Sequence, residues 1–522
     1  MEMYHAVPLP TPEEMTAWDQ ATIEDFGLRQ EVLMENAGLG AHGVLEDSVG
    51  SVEGLSILVI AGSGNNGGDA FCVARHLANS GAQVLVLHTG KKKDYRGAAA
   101  ANMRLAQKMG IQLGHLAKGR SLLEFVHDFG EPDVIVDGLL GTGFKGELRE
   151  ETQEWIEDIN IFKSSAFILS LDIPSGLSGL TGEPAPVAVM ADTTVTFEAA
   201  KIGLAMPSSA EFTGDIHVCG IGIPEFIKHS TPATCSMLTD GVLDLLPAPH
   251  PEMHKGDAGH VLILGGSIGL TGAPHLAALG AIRSGAGLVT IGCPAGLAQE
   301  VKGGNPDIMT LPLGKGTYWN EGMAQDLIPH LSRFSAILLG PGMGRDERTL
   351  GFLRALAELD LPKLVVDADA LYWIAQAPEL LEHLSTPMVL TPHPGEAARI
   401  LGISAEDVQA DRLHAAQDFA AQTGAVSILK GAGTIIALPD GRAYVSPFAI
   451  SNLAVAGSGD VLGGLSTSLL ARDMELEDAA CLAVYWHGLA GGQLSEDFPV
   501  RGNTASDIAN ALPKALKETV DA

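Results

Sequence analysis

The stretch of this chain with the clearest chemical potential is 453–464, LAVAGSGDVLGG. Val461, Leu462, Leu465 and Leu469 recur at helical spacing, so the spacing predicts a helix that starts near Asp460. A glycine turn running into a helix presents bare N–H groups at the positive end of the helix dipole, which is a site for phosphate. Asp460 in the first turn puts a carboxylate where a substrate hydroxyl could give up its proton. An aspartate at that position would serve equally as an N-cap, so the loop alone admits both roles.

A second group of polar residues falls in the first half. GSGNNGGDA follows the apolar run SILVIAG (56–62), PDVIVDGLLGTG spans 132–143, and FILSLDIPSG spans 167–176. Asn65, Asn66, Asp69, Asp137, Asp172 and Ser175 therefore all lie at the ends of expected strands. In parallel sheets, ligands bind off the carboxyl ends of the strands. Asn66, Asp137 and Ser175 offer only oxygen donors, a set that suits a hard cation such as K⁺. Each of them could instead cap a helix or close a turn.

The elements that position these residues are legible from the alternation of apolar runs and helical patterns. After helices over 11–49, the runs at 56–62, 83–90, 132–143, 167–176 and 193–200 read as strands separated by helices, which implies a parallel sheet. Over 223–257 this rhythm stops and Pro and turn residues accumulate. Strands then restart at 259–267, 288–294, 335–344, 363–371 and 387–396. Three short strands over 425–447 read as a meander, with turns at 431–433 and 440–441. Helices are expected near 459–471, 477–495 and 503–519. The expected organisation is an α/β domain over 1–225, a linker over 226–249 and a second α/β domain over 250–522. Asp367 and Asp369, at a strand end, are read as caps of the next helix. His393 stands between two prolines, either orienting a substrate or packing in a turn.

Composition narrows the field. With 522 residues the chain exceeds a single core. A 46% hydrophobic and 18% charged composition suits globular folding. The formal net charge of −31 argues against nucleic acid and anionic membranes as partners. A nucleotide must then be held by local devices: glycine N–H groups, helix ends and a few lysines. The five cysteines form no CxxC pair, so neither a disulfide framework nor a zinc site is expected. The N-terminal MEMYHAVPLPTPEEM lacks the basic and apolar regions of a signal peptide. No apolar run approaches the roughly 20 residues of a membrane span. A cytoplasmic location is expected, and a homo-oligomer, since acidic metabolic enzymes of this shape are commonly symmetric.

In this order, GNNGGDA, VDGLLGTGFKGE and LDIPSG resemble the N-terminal epimerase domain of the bifunctional NAD(P)H-hydrate repair enzymes, over roughly 10–225. The resemblance implies a Rossmann-like domain. It also implies contacts to the hydrated nicotinamide nucleotide from Asn65, Asn66, Gly67, Gly68 and Asp69. A second set would come from Gly141, Thr142, Gly143, Phe144, Lys145, Gly146 and Glu147, together with Asp172. Asn66, Asp137 and Ser175 would hold K⁺. The hydrate carries a hydroxyl on C6 of the reduced ring. Inverting that carbon needs a proton-transfer group, for which Asp172 is the candidate. Ala70 stands where the family often has Gly.

The late meander and the glycine–aspartate helix start resemble the ribokinase-like fold. GPGMG, VVDADAL, TPHPGE, KGAGT and AGSGD resemble the ADP/ATP-dependent NAD(P)H-hydrate dehydratase domain of the same family, over roughly 240–520. The resemblance implies that Lys430, Gly431, Ala432, Gly433, Thr434 and Gly459 contact the adenosine phosphate. Ala273, Gly344, His393 and Asp460 would contact the hydrate. The substrates implied are NADHX and NADPHX, with ADP as donor, ATP as the other choice, and Mg²⁺ shielding the phosphates. Asp460 would be the catalytic base and the Gly457–Gly459 amides would stabilise the moving phosphoryl oxygens. Ile450-Ser451-Asn452 stands where the family usually has an Asn-Pro pair. The competing reading is a ribokinase-type small-molecule kinase fused to a non-catalytic nucleotide-binding module. HPGE and DADAL behind, with NNGGD and DIPSG in front, have no use in such a kinase.

Overall fold

The computed structural model describes residues 5–144, 146–248 and 250–520, with side chains described as far as 516. Two compact units divide at Cys235. One spans Pro8–Cys235, and the residues before Pro8 belong with those after Cys235. The stretch 226–249, expected as a linker, contains a helix over Glu225–Ser230 and a strand over Cys235–Leu238. Prolines there interrupt the crossover rhythm without preventing short elements.

In chain order the strands are β1 (Ala6–Pro8), then β2 (Ser56–Ala61), β3 (Gln83–His88), β4 (Gln112–His115), β5 (Val134–Gly138), β6 (Phe167–Leu171), β7 (Thr193–Phe197) and β8 (Asp215–Cys219). β2 to β8 form a seven-stranded sheet ordered β4-β3-β2-β5-β6-β7-β8, parallel throughout. The chain winds outward from β2 through β3 to β4, then returns to place β5 on the other side of β2. A crevice opens at such a reversal, off the carboxyl ends of the two strands. Strand residues alternate between two cores. Ile57, Val59, Val134 and Val136 enter one, while Leu58, Ile60, Ile135 and Ile168 enter the other. Helices cover both faces, so the strands read as unbroken apolar runs rather than alternating ones.

The rear unit continues with β9 (Cys235–Leu238), β10 (His260–Leu264), β11 (Leu288–Pro294), β12 (Met309–Leu313), β13 (Ala336–Leu339), β14 (Lys363–Val366), β15 (Met388–Leu390), β16 (Val426–Leu429), β17 (Ile435–Ala437) and β18 (Ala443–Val445). Its sheet runs β1-β9-β18-β17-β16-β15-β14-β13-β10-β11-β12. The strands from β12 to β16 are parallel, and β16, β17 and β18 form the antiparallel meander. The winding reverses between β10 and β13, giving a second crevice. This is the α/β, ribokinase-like arrangement expected of the second half. The helix Ser458–Ala471 crosses the helix Gly272–Arg283 at backbone contact. A Cβ on Gly464 would lie 1.9 Å from the Ala277 carbonyl oxygen, and one on Gly280 would lie 2.4 Å from that of Val461. Only glycine permits that approach. The approach sets the first turn of the helix, with Asp460, over the sheet's carboxyl edge. Among the described residues no helix is long and apolar enough to cross a membrane.

Candidate active sites

In the front unit, β2 delivers the chain straight into the helix Asn65–Asn79. The turn is tight enough that a Cβ on Gly67 would stand 1.9 Å from the Gly62 carbonyl oxygen. Asn65, Asn66, Gly67 and Asp69 line a cavity of about 610 Å³, as do Gly141, Thr142, Gly143 and Phe144 from the loop after β5. Gly68 faces the core instead, since a Cβ there would lie 2.6 Å from Met34 Cε. Gly146 and Glu147 continue the loop outside the cavity wall. Lys145 lies outside the described residues.

Asn66, Asp137 and Ser175 converge beneath this cavity. Ser175 donates its hydroxyl to Asp137 Oδ1 at 2.6 Å and its N–H to Oδ2 at 2.9 Å. Asn66 donates to the carbonyls of Leu140 at 2.6 Å and Leu171 at 3.0 Å. Its own Oδ1 is buried without a hydrogen-bond partner. Burial holds the Asp137 carboxyl above its usual range, against the hydrogen bonds from Ser175, Leu139 and Ser170.

Asp172 follows β6 with φ of +65°, a conformation an aspartate tolerates better than most residues. Oδ1 accepts from Lys201 Nζ, and Oδ2 accepts from the Thr142 hydroxyl at 3.2 Å. Lys201 is 1% exposed, and its other donors go to Thr196 Oγ1 at 2.9 Å and the Phe197 carbonyl at 3.0 Å. Asp19 completes the wall from the helix Pro12–Gln20. No motif in the sequence pointed to Asp19 or Lys201. Neither sits in a glycine turn of the kind that marked the other residues.

In the rear unit the strand ends supply Asp367 after β14, His393 after β15 and Lys430 after β16. Lys430 Nζ donates to Asp367 Oδ1 at 2.6 Å and stands 3.9 Å from Glu396 Oε2. Burial would lower the Lys430 pKa, but Asp367 and Glu396 outweigh it and hold the ammonium above its usual range. Asp367 is thus a partner of Lys430 rather than a helix cap. Asp369 likewise caps nothing: the helix it opens has Ala368 at its N-cap, with no side-chain bond. Its Oδ2 accepts the Gly344 N–H at 2.9 Å instead. Spacing alone could not separate these roles, because a strand-end aspartate suits either. Ala273 belongs to the same corner, 3.2 Å from where a Cβ on Gly342 would stand.

His393 is an N-cap. Its Nδ1 accepts the N–H of Gly395 at 3.0 Å and of Glu396 at 3.3 Å, while Glu396 returns a bond to the His393 N–H at 2.8 Å. An accepting Nδ1 leaves the ring proton of the neutral imidazole on Nε2, 3.4 Å from Glu396 Oε1. Burial pushes Glu396 up to about 7, with Lys430 opposing.

The helix Ser458–Ala471 has Gly457 as its N-cap, at φ of +87° and with no side-chain cap bond. Asp460 is therefore free of the capping role. Burial, with Asp367 close by, raises its carboxyl to about 7 against the pull of Lys430. Beside it a cavity of about 510 Å³ is lined by Lys430, Gly431, Ala432, Thr434 and Gly459. Gly433 sits behind the loop and donates its N–H to the Phe448 carbonyl at 3.1 Å. The far wall is largely apolar, with Phe448, Ile450, Leu453, Val455 and Val484. His487 meets Ser458 Oγ at 3.3 Å, and burial lowers its pKa to about 4. Asn452 does not face the cavity. It is buried and donates to the carbonyls of Leu494 at 3.2 Å and Phe498 at 3.0 Å, tying down the loop that forms the wall.

Residues 30–203 match the family model described as YjeF-related protein N-terminus, and residues 261–514 match the one described as NAD(P)H-hydrate dehydratase. The bifunctional NAD(P)H-hydrate repair enzyme of Moorella thermoacetica is 38% identical over 520 residues, covering 98% of this chain and 96% of its own. The enzyme of that name from Salinibacter ruber is 35% identical, with 98% and 96% covered. Among solved structures, the ADP/ATP-dependent NAD(P)H-hydrate dehydratase of Bacillus subtilis is 31% identical, covering 54% of this chain and 96% of that one at a TM-score of 0.46. A kinase fused to a silent module does not survive likeness that runs through both units. The chain belongs to the bifunctional NAD(P)H-hydrate repair enzymes, an epimerase domain in front of a nucleotide-driven dehydratase domain.

Proposed function

We propose that the front cavity interconverts the R and S forms of NADHX and NADPHX, and that the Lys430 cavity binds ADP, or ATP, to drive water from the S form. Asp172 is the proton-transfer group of the front site, its two oxygens fixed by Lys201 and Thr142. Asn66, Asp137 and Ser175 would hold K⁺. Asn66 and Ser175 both reach the Leu140 carbonyl, Ser175 bonds Asp137, and Asn66 Oδ1 is buried without a partner, a set of oxygen donors that fits it. The ion would supply a fixed positive charge under the cavity. Around it Asn65, Asn66, Gly67 and Asp69, with Gly141, Thr142, Gly143 and Phe144, bind the nucleotide.

In the rear site the C6 hydroxyl gives its proton to Asp460. The freed oxygen attacks the terminal phosphorus of the donor, the bridging P–O bond breaks, and AMP leaves when the donor is ADP. The ring nitrogen's lone pair then expels phosphate, C5 loses a proton and the dihydropyridine is restored. Lys430, the Gly431–Thr434 turn and the amides at Gly457–Gly459 hold the phosphates. Mg²⁺ on the donor would neutralise phosphate charge. Ala273, Gly344 and His393 orient the hydrate.

One observation carries this reading. Lys430, bonded to Asp367, lines a cavity with the Gly431–Thr434 turn and Gly459, the remaining wall suits a purine, and the uncapped Asp460 follows Gly459 directly in the first turn of its helix. The test is absorbance at the reduced-nicotinamide band. Hydrate with ADP should regain it, with AMP and phosphate appearing in equal amounts. A flat trace with a phosphorylated product accumulating would refute the reading.

A further inference from the structure

We propose that Asp19 is a second proton-transfer group of the front site, giving its proton to the C6 oxygen that departs from one face of the ring while Asp172 takes the proton of the water that adds to the other. The inference rests on the epimerase reading of the front cavity and extends it. Inversion through loss and return of water uses both faces of C6. A carboxyl on one side of the ring cannot reach an oxygen arriving from the opposite side, so two groups are required. Asp172 comes from the end of β6 and Asp19 from the helix Pro12–Gln20, two separate elements that line the cavity.

Asp19 Oδ1 is buried and has no hydrogen-bond partner. A buried oxygen left bare costs free energy unless something entering the cavity satisfies it. Lys201 cannot do so, because its three donors go to Asp172, Thr196 Oγ1 and the Phe197 carbonyl. Asp69 is the other carboxyl lining the cavity among the described residues. Burial, then Asp172 and Asp19, push it well above its usual range, with Lys201 opposing. Asp69 belongs to the helix Asn65–Asn79, whose first turn is assigned to the nucleotide rather than to C6. Burial brings Asp19 only to about 6, with Lys201 pulling it down and Asp172 and Glu198 pushing it up. A group near working pH can give a proton and take it back.

The step balances. The N1 lone pair becomes the N1=C6 bond, the C6–O bond breaks, and the oxygen leaves as water with the Asp19 proton. A water then adds to the opposite face and passes one proton to Asp172. One water is lost and one gained. The reverse conversion runs the same transfers backwards, and exchange with solvent resets both carboxyls.

The experiment follows separated R and S hydrates by chromatography, using the full-length chain without ADP. Asp19→Asn should lower kcat for interconversion by about a hundredfold or more with KM within about threefold, as expected when a general acid is removed. In the parental chain the R-to-S rate should fall as pH rises through about 6, while Asp19→Asn loses that descent. Asp19→Glu keeps a carboxyl and should recover at least about a tenth of the parental kcat. Interconversion by Asp19→Asn within about threefold of the parent overturns the proposal. So does an equal loss in the Asn and Glu variants, which would mark a packing role. A parental chain that does not interconvert the epimers at all sinks the epimerase reading of the cavity, and this inference with it.

Discussion

In the front site one lysine, Lys201, faces Asp19, Asp69 and Asp172; in the rear site one lysine, Lys430, faces Asp367, Glu396 and Asp460. Both sets stand at the carboxyl edge of a parallel sheet, and both hold more carboxyls than ammonium groups. The lysines differ in what remains of them. Lys201 is 1% exposed and its donors are consumed by the protein. The Lys430 side chain is 19% exposed, makes one short bond to Asp367 and opens onto a cavity. A saturated ammonium can only hold a carboxylate in place, which suits proton shuffling with no net change of bonds. An ammonium with donors to spare can meet an incoming phosphate, which suits group transfer. The same charge pattern thus serves two chemistries because the packing around the lysine differs.

The sharpest way to break this comparison is at Asp460. Asp460→Asn should lower dehydratase kcat by about a thousandfold, within the range for losing a general base, and leave nucleotide affinity by calorimetry unchanged. Lost binding with surviving turnover would contradict the role. Asp172→Asn should slow epimer interconversion by about a hundredfold while the variant still dehydrates pure S hydrate at the parental rate. A variant that equilibrates the epimers as fast as the parent would remove Asp172 from the mechanism.

The lysines themselves come next. Lys201→Met removes a buried ammonium and leaves the Asp172 carboxylate without its ion partner, and should cost the front domain up to about 3 kcal/mol, read by denaturation through Trp18 and Trp155. Lys430→Met should cost less stability and weaken nucleotide binding instead. Equal stability losses from the two variants would erase the distinction between them.

The smallest effect is in pH. Asp460 must be ionised to accept a proton, so the dehydratase rate should fall as pH drops through about 7. Stability runs the other way. A carboxyl raised from 3.8 to about 7 in the folded chain binds its proton there more tightly than in the unfolded chain, so its contribution to stability declines as pH rises across that window. Asp460→Asn should flatten both trends.

Much of the site was legible because glycine turns and strand-end aspartates follow from local backbone demands. GNNGGD sits where β2 must turn into a helix, and AGSGD sits where a helix must start close to another backbone. Asp367 was misassigned to capping because its partner, Lys430, lies 63 residues away. Lys201 and Asp19 were invisible for the same reason: each gains its meaning from residues on other strands and helices. Asn452, standing where the family usually has an Asn-Pro pair, resolves only in three dimensions, as a clamp on the end of the helix Leu476–Asp497.

From residue order alone come the two α/β halves, the meander and the strand-end positions of the acids, since apolar periodicity and glycine placement are local properties of a chain. Tertiary structure decided which charges meet, which lysine keeps free donors, and which oxygens stay bare. Those outcomes depend on distance and burial between segments far apart in sequence, and electrostatic interactions take their size from both.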